Sequence, residues 1–154
     1  MTMVLAFALG IVAGLRSMTA PAAVAWAVHF GWLHLEATPL AFLGSAAARY
    51  VLLVLAVAEL VADKLPFTPS RTRPGPFIGR ILTGILAGAA LAAGAGQSLA
   101  AGAVVGGLGA AAGTLGGYRA RTGLVRTLAV PDYVVALAED VVAVGGALLI
   151  VAAG

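Results

Sequence analysis

The chain contains no cysteine, which excludes disulfides, thiolate metal sites and cysteine nucleophiles. Charge is nearly as scarce: 10% of the 154 residues are Asp, Glu, Lys or Arg, against about 25% in an ordinary soluble domain. So few charges do not cover a water-facing surface. A composition that is 62% hydrophobic, with a mean hydropathy of +1.07, suits a bilayer instead. The 21 glycines do not signal low-complexity disorder, because such disorder needs low hydrophobicity.

Catalytic signatures are missing as well. There is no G-x-S-x-G, H-E-x-x-H or P-loop. His29 and His34 are five residues apart and lack ligand partners, so neither a metal nor a cofactor is expected. The net charge of +3 and pI near 10.0 raise the question of nucleic acid. Most of the cations, however, fall in or beside two short segments, the pattern of a positive-inside membrane topology. The expected partners are therefore the lipid bilayer and a small-molecule solute, with no nucleic acid. The opening MTMVLAFALG has no basic flank and reads as a first membrane segment, not as a cleaved signal.

What is present is apolar helix, interrupted once at length. Residues 58–80, AELVADKLPFTPSRTRPGPFIGR, form the long polar break around which the chain is organised. Ahead of it, residues 1–35 carry a single formal charge, Arg16, inside GLRSMTAP. Residues 2–15 would span only about 21 Å as a helix, short of a ~30 Å hydrocarbon core. Either one broken span holds Arg16 at mid-depth, or two short helices form a hairpin with Arg16 at the boundary. The hairpin is favoured, because it puts Arg16 with the other cations. The connection over 31–39 holds Glu36 and no Lys or Arg, which suits the outer side. A helix is expected from about Pro39 or Gly44 to Ala62.

From Ile81 to Tyr118 there is no charge. One helix of that length would reach about 57 Å, so it must fold back, with Gly94–Ser98 as the turn. Arg119, Arg121 and Arg126 then lie on the same side as Lys64, Arg71, Arg73 and Arg80. The last helix starts at Pro131 or Asp132. The expectation is one all-α domain over residues 1–154, an integral membrane bundle of five full or six mixed-length helices.

Small residues recur at four-residue spacing: Gly84, Gly88, Ala92 and Gly96; Gly102 and Gly106; Gly109, Gly113 and Gly117. Such ladders let backbones approach closely where lipid gives no hydrophobic drive. They mark a hairpin interface within the chain or a homo-oligomer contact, with a pore lining as the sharper alternative.

The acids are Glu59 and Asp63, which share a helix face, and Glu139 with Asp140. An acid within a membrane helix is costly and faces a partner or a watery cavity. Desolvation favours the neutral carboxyl, the property a proton-coupled carrier uses. Adjacent positions point about 100° apart, so Glu139 and Asp140 are not expected to share one partner. Simple pairing with Arg16, Arg49 or Arg119 is the competing reading. Glu59 is expected close to Arg16.

A faint internal echo, GxRxxT at Gly14–Thr19 and Gly117–Thr122, joins Ala58–Val61 to Ala138–Val141; repeats with a site between them mark transporters. The candidate solute site is Arg16, Ser17, Thr19 and Arg119, with Glu59, Asp63, Glu139 and Asp140 for proton coupling. Ser70, Arg71, Arg73 and Arg80 are candidates for phosphate or headgroup contact.

At GLRSMTAP and AELVADKLPFTPSR the sequence resembles a family of small bacterial polytopic membrane proteins known as a domain of unknown function. The match lies in the early Gly-Leu-Arg stretch and in Glu59, Ala62, Asp63, Lys64 and Pro66. Phe67-Thr68-Pro69-Ser70-Arg71 stands where the family often has an acidic segment. The resemblance implies a helical inner-membrane protein and brings no activity. The leading expectation is a small secondary transporter or channel-like protein for an anionic or zwitterionic solute. The alternatives are a lipid-headgroup-binding or lipid-translocating protein and a structural subunit. A membrane enzyme ranks below transport and lipid handling.

Overall fold

The computed structural model describes residues 1–65 and 70–154. Six α-helices account for most of them: α1 (Thr2–Leu15), α2 (Thr19–His29), α3 (Ala46–Ala62), α4 (Pro74–Gly94), α5 (Leu99–Leu128) and α6 (Asp132–Ala153). A short 3-10 turn at Ala41–Gly44 precedes α3, and no strand occurs among the described residues. Pro66, Phe67, Thr68 and Pro69 of the organising stretch lie outside the described residues.

The boundaries follow local chemistry. Ser45 and Ser98 cap α3 and α5, each side chain accepting from the backbone N–H three residues on. Pro74 occupies the first turn of α4, where its missing N–H costs nothing. Gly96, at φ +66°, turns the chain between α4 and α5. Asp132 begins α6 at the positive end of its dipole. The segment holding Arg119, Arg121 and Arg126 is not a loop, as α5 continues to Leu128. Nothing between Tyr118 and Leu128 breaks a helix except the lone Gly123, so the connection shrinks to three residues.

Three helices are long and apolar enough to cross a membrane: α4 with 21 residues, α5 with 30 and α6 with 22. The other three are shorter, so the bundle is of mixed-length helices. The chain is a helical membrane bundle. Its outer surface agrees: α3 buries only Ala56, and Val141, Val142, Leu148 and Leu149 of α6 all face outward.

Helix directions place Arg16. The Gln97 side-chain amide donates to Thr2 Oγ1 at 3.4 Å, so α1 starts beside the α4–α5 turn. Leu33, just past α2, packs at Gly94 on the same end. Hence α1 leaves that end, the chain reverses around Arg16, and α2 returns: a hairpin of two short helices. Val12 lies near Gly146 and Leu91 near Gly154, which sets α6 antiparallel to α1. Along α1, and from Gly94 back to Arg80 in α4, about 20 Å of helix separates this end from the level of Arg16. At the end away from Arg16, Trp26, Phe30, Trp32 and Tyr50 form an aromatic cluster, with the Arg49 guanidinium over the rings of Trp26 and Tyr50 at 5.2 and 5.1 Å. Rings of this kind collect at a membrane–water boundary.

The small-residue ladders hold α1, α4 and α5 together. A side chain at Gly106 would strike the carbonyl of Gly84, and one at Gly10 the carbonyl of Gly106. Gly88 meets Gly102, Gly109 meets Phe7, and Gly113 meets Ile11 in the same way. These faces are occupied within the chain. Gly96 leaves the ladder for the turn, with nothing close to where its side chain would project.

Candidate functional site

The break between α1 and α2 is the centre of the site. A helix end inside an apolar medium leaves backbone groups that water cannot reach, and each must find a partner in the protein. At the end of α1, Arg80 Nη1 of α4 donates to the carbonyls of Gly14 at 2.9 Å and Leu15 at 2.7 Å. Thr114 Oγ1 of α5 donates to Gly14 as well, at 3.3 Å. At the start of α2, the Glu59 carboxylate of α3 accepts from Ser17 N–H at 2.8 Å and Met18 N–H at 2.7 Å. Arg80 Nη2 then closes the circuit with Glu59 Oε1 at 3.4 Å. The cation lies at a helix C-terminus and the anion at an N-terminus, each matching the local dipole.

Beside this circuit, the Arg16 side chain is fully buried. Its Nε donates to Asp140 Oδ1 at 2.6 Å, Nη2 lies 2.5 Å from the same oxygen, and Nη1 pairs with Asp63. Glu139 Oε2 stands 3.8 Å from Nη2. Glu139 and Asp140 of α6 each have a further cation. Lys64 Nζ reaches Asp140 Oδ2 at 2.6 Å, and Arg71 grips Glu139 with both amino groups, at 2.5 and 3.0 Å. Arg121 lies 3.6 Å from Glu139 and forks onto Asp132. The result is an ion-pair network joining the α1–α2 break, the end of α3, α5 and α6, with the Arg80–Glu59 pair of α4 and α3 beside it.

Several expectations change here. Arg16 takes Asp63 and Asp140 as its partners, while Glu59 takes Arg80 and the backbone at Ser17 and Met18. Glu139 and Asp140 do approach one guanidinium, because the longer Glu side chain bends back to a fork that presents several nitrogens. Ser17 contributes its backbone N–H to Glu59, and its hydroxyl lies 3.3 Å from Thr83 Oγ1. Thr19 is buried next to the break. Arg119 is exposed and stands apart from the network.

Of the four residues considered for phosphate contact, Ser70 and Arg73 are exposed, whereas Arg71 and Arg80 are buried and committed to Glu139 and Glu59. Arg121 and Lys64 were not anticipated as part of the site. Asp132 and Glu139 are seven residues apart and so share a helix face, a signal for a cation opposite them. The GxRxxT echo is not repeated in structure: its first copy is the helix break, and its second lies within unbroken α5. Among the described residues no group of His, Asp and Glu could hold a metal ion.

A cleft of about 210 Å³ opens sideways between α5 and α6, walled by Leu15, Ala120, Leu124, Val135, Ala138 and Val142, with Arg121 and Glu139 at its polar edge.

Fold and site together define a class: a small helical membrane bundle with a broken-helix hairpin and a buried ion-pair network. The chain belongs to the family described as Domain of unknown function (DUF4126), which it matches over residues 3–153. No curated protein and no solved structure matches it.

Proposed function

We propose that this protein is a proton-linked secondary carrier for a small anionic or zwitterionic solute, seated in a bacterial inner membrane with its basic end toward the cytoplasm. One observation carries the reading: Glu59 fills a niche built for an anion. Two backbone N–H groups at the start of a half-length helix converge on its carboxylate, with Arg80 beside it. In secondary transporters, half-helix N-termini of this kind point at the anionic group of the substrate. A solute carboxylate that enters takes over the Ser17 and Met18 N–H groups and the Arg80 guanidinium, and Glu59 leaves as the neutral acid. Arg80 and the two N–H groups stay satisfied throughout, and one proton accompanies each anion.

Arg16 supports the same site from behind. Its attachment to Asp63 and Asp140 fixes the backbone from which Ser17 and Met18 donate. Protonation of either acid would loosen that attachment and let the hairpin move. A homo-oligomer, if formed, would use the outer faces of α3 and α6, since the glycine faces are filled internally.

The test is uptake by vesicles containing the purified protein. Radiolabelled acetate, succinate, phosphate and glycine are offered with and without an inward proton gradient. At least one should accumulate only with the gradient, and Glu59→Gln should abolish the gradient dependence while retaining passive exchange. Absence of gradient-driven uptake for all four, with the protein shown to be folded, contradicts the proposal.

A further inference from the structure

Arg49 lies at the opposite end of the bundle from the ion-pair network, as the fourth residue of α3. Among the described residues it has neither an acid partner nor a hydrogen-bond partner: Glu59, Asp63, Asp132, Glu139 and Asp140 pair with other cations, and Glu36 is exposed and makes no ion pair. The first turn of α3 holds no acid either, although the positive end of a helix dipole favours an anion there and disfavours a cation. The guanidinium and the helix start therefore lack the same thing, a negative charge.

The surroundings hold Arg49 in place without satisfying it. Its guanidinium carbon lies 5.2 Å from the ring centre of Trp26, in the last turn of α2, and 5.1 Å from that of Tyr50, while the two rings meet edge to face at 6.1 Å. Ring faces attract a cation and fix its plane, but they offer no oxygen to its N–H groups. Arg49 Nε and Trp26 Nε1, on adjoining side chains, are both closed off from solvent and have no acceptor, whereas the two amino groups of Arg49 are neither closed off nor bonded. Buried donors normally have a partner, and one left without is costly. A planar guanidinium edge with free amino groups matches two oxygens of a phosphate or carboxylate.

We propose that Arg49, held by Trp26 and Tyr50, binds a phosphate oxyanion, carried by a phospholipid headgroup at the membrane–water boundary away from Arg16. Two observations favour lipid as its source. Phe30, Trp32 and Tyr50 are half-exposed around the guanidinium, as rings at headgroup level are. Further along α3, Val51, Val54 and Val57 face outward, an apolar track along which acyl chains of the same lipid can lie. This site is separate from the Glu59 niche and does not depend on the carrier reading. It is not the headgroup site expected at Ser70, Arg71, Arg73 and Arg80, since Arg71 and Arg80 are spent on Glu139 and Glu59. An oxyanion here would offset the charge at the start of α3 and leave both rings where they are.

The chain has two tryptophans, so Trp32→Phe leaves Trp26 as the sole indole reporter. The full-length Trp32→Phe protein in detergent is titrated with short-chain phosphatidylglycerol, with diacylglycerol of the same chains and with inorganic phosphate, while Trp26 emission is followed. Phosphatidylglycerol should change the emission saturably and diacylglycerol should not, with inorganic phosphate acting only at much higher concentration. Adding Arg49→Gln should weaken phosphatidylglycerol binding about 10- to 100-fold, the loss of a charge-assisted hydrogen bond. Adding Arg126→Gln, which changes an exposed cation at the opposite end, should leave it unaltered. No response to phosphatidylglycerol, an equal response to diacylglycerol, undiminished binding in Arg49→Gln, or equal weakening by Arg126→Gln overturns the site. Inorganic phosphate binding as tightly as phosphatidylglycerol overturns lipid as its source. Should Arg49→Gln fail to fold, the comparison of phosphatidylglycerol with diacylglycerol decides.

Discussion

Arg80 Nη2 and Glu59 Oε1 stand 3.4 Å apart across the break between α1 and α2, and each residue also holds one raw helix end. The pair therefore does more than cancel charge. It supplies the hydrogen bonds that allow a helical hairpin to turn beside membrane-spanning helices. A buried ion pair alone is weak evidence of stability; here its partners are the backbone groups that would otherwise be stranded.

Removing the cation should accordingly cost more than neutralising the anion. Arg80→Met strands the Leu15 carbonyl, leaves the Gly14 carbonyl with Thr114 alone and removes the cation beside Glu59, a loss of about 3–5 kcal/mol by analogy with other broken buried pairs. Glu59→Gln keeps an acceptor for the backbone and should lose about 1–3 kcal/mol. Arg80→Lys should fall between them, since one ammonium cannot reproduce the fork. Thermal or denaturant unfolding in detergent gives the order, and a Glu59→Gln variant less stable than Arg80→Met would reverse this account.

The glycine contacts make a graded prediction. Gly106→Leu and Gly113→Leu should prevent recovery of monodisperse protein, because each new side chain meets backbone of a neighbouring helix. Gly116→Leu and Gly123→Leu, where nothing lies close, should express and purify normally. Equal behaviour of the two sets in size-exclusion profiles would mean that α1, α4 and α5 do not pack in this way.

Topology can be read with single cysteines, since the chain has none. Thr72, Thr122 and Gln97 are exposed, the first two at the basic end and the third at the opposite end. In intact cells an impermeant thiol reagent should label Gln97→Cys and spare Thr72→Cys and Thr122→Cys until the membrane is opened. Labelling of Thr72→Cys without Thr122→Cys would separate two segments that the bundle places together.

Much of the helix layout was legible because breakers are conspicuous in apolar sequence. Gly94–Ser98 had to turn, Pro131-Asp132 had to start a helix, and a 14-residue α1 was too short to cross alone. That Arg16 would lie among acids was legible too, since an isolated charge there costs about 2.5–3.5 kcal/mol. Which acid meets which cation was not, because pairing depends on how each helix is rotated about its axis. Glu59 is drawn to the N–H groups of Ser17 and Met18, a demand created by backbone rather than by any side chain. That leaves the Arg16 guanidinium to Asp63, one turn further along the same face of α3. Arg80 follows the basic stretch 66–76 and so reads as a candidate for headgroup contact, yet its fork is directed inward at the carbonyls of α1. Arg121 reads only as one of the cations that follow the uncharged run ending at Tyr118, because nothing in the sequence shows that α5 continues through it.

The central claim is that Glu59 occupies an anion's place and gives it up with a proton. The most direct measurement is proton uptake by the purified protein in weakly buffered detergent as acetate, succinate or phosphate is added. The account predicts about one proton taken up per anion bound, and loss of that uptake in Glu59→Gln with binding retained. Anion binding without proton uptake, or identical proton uptake in Glu59→Gln, would contradict it.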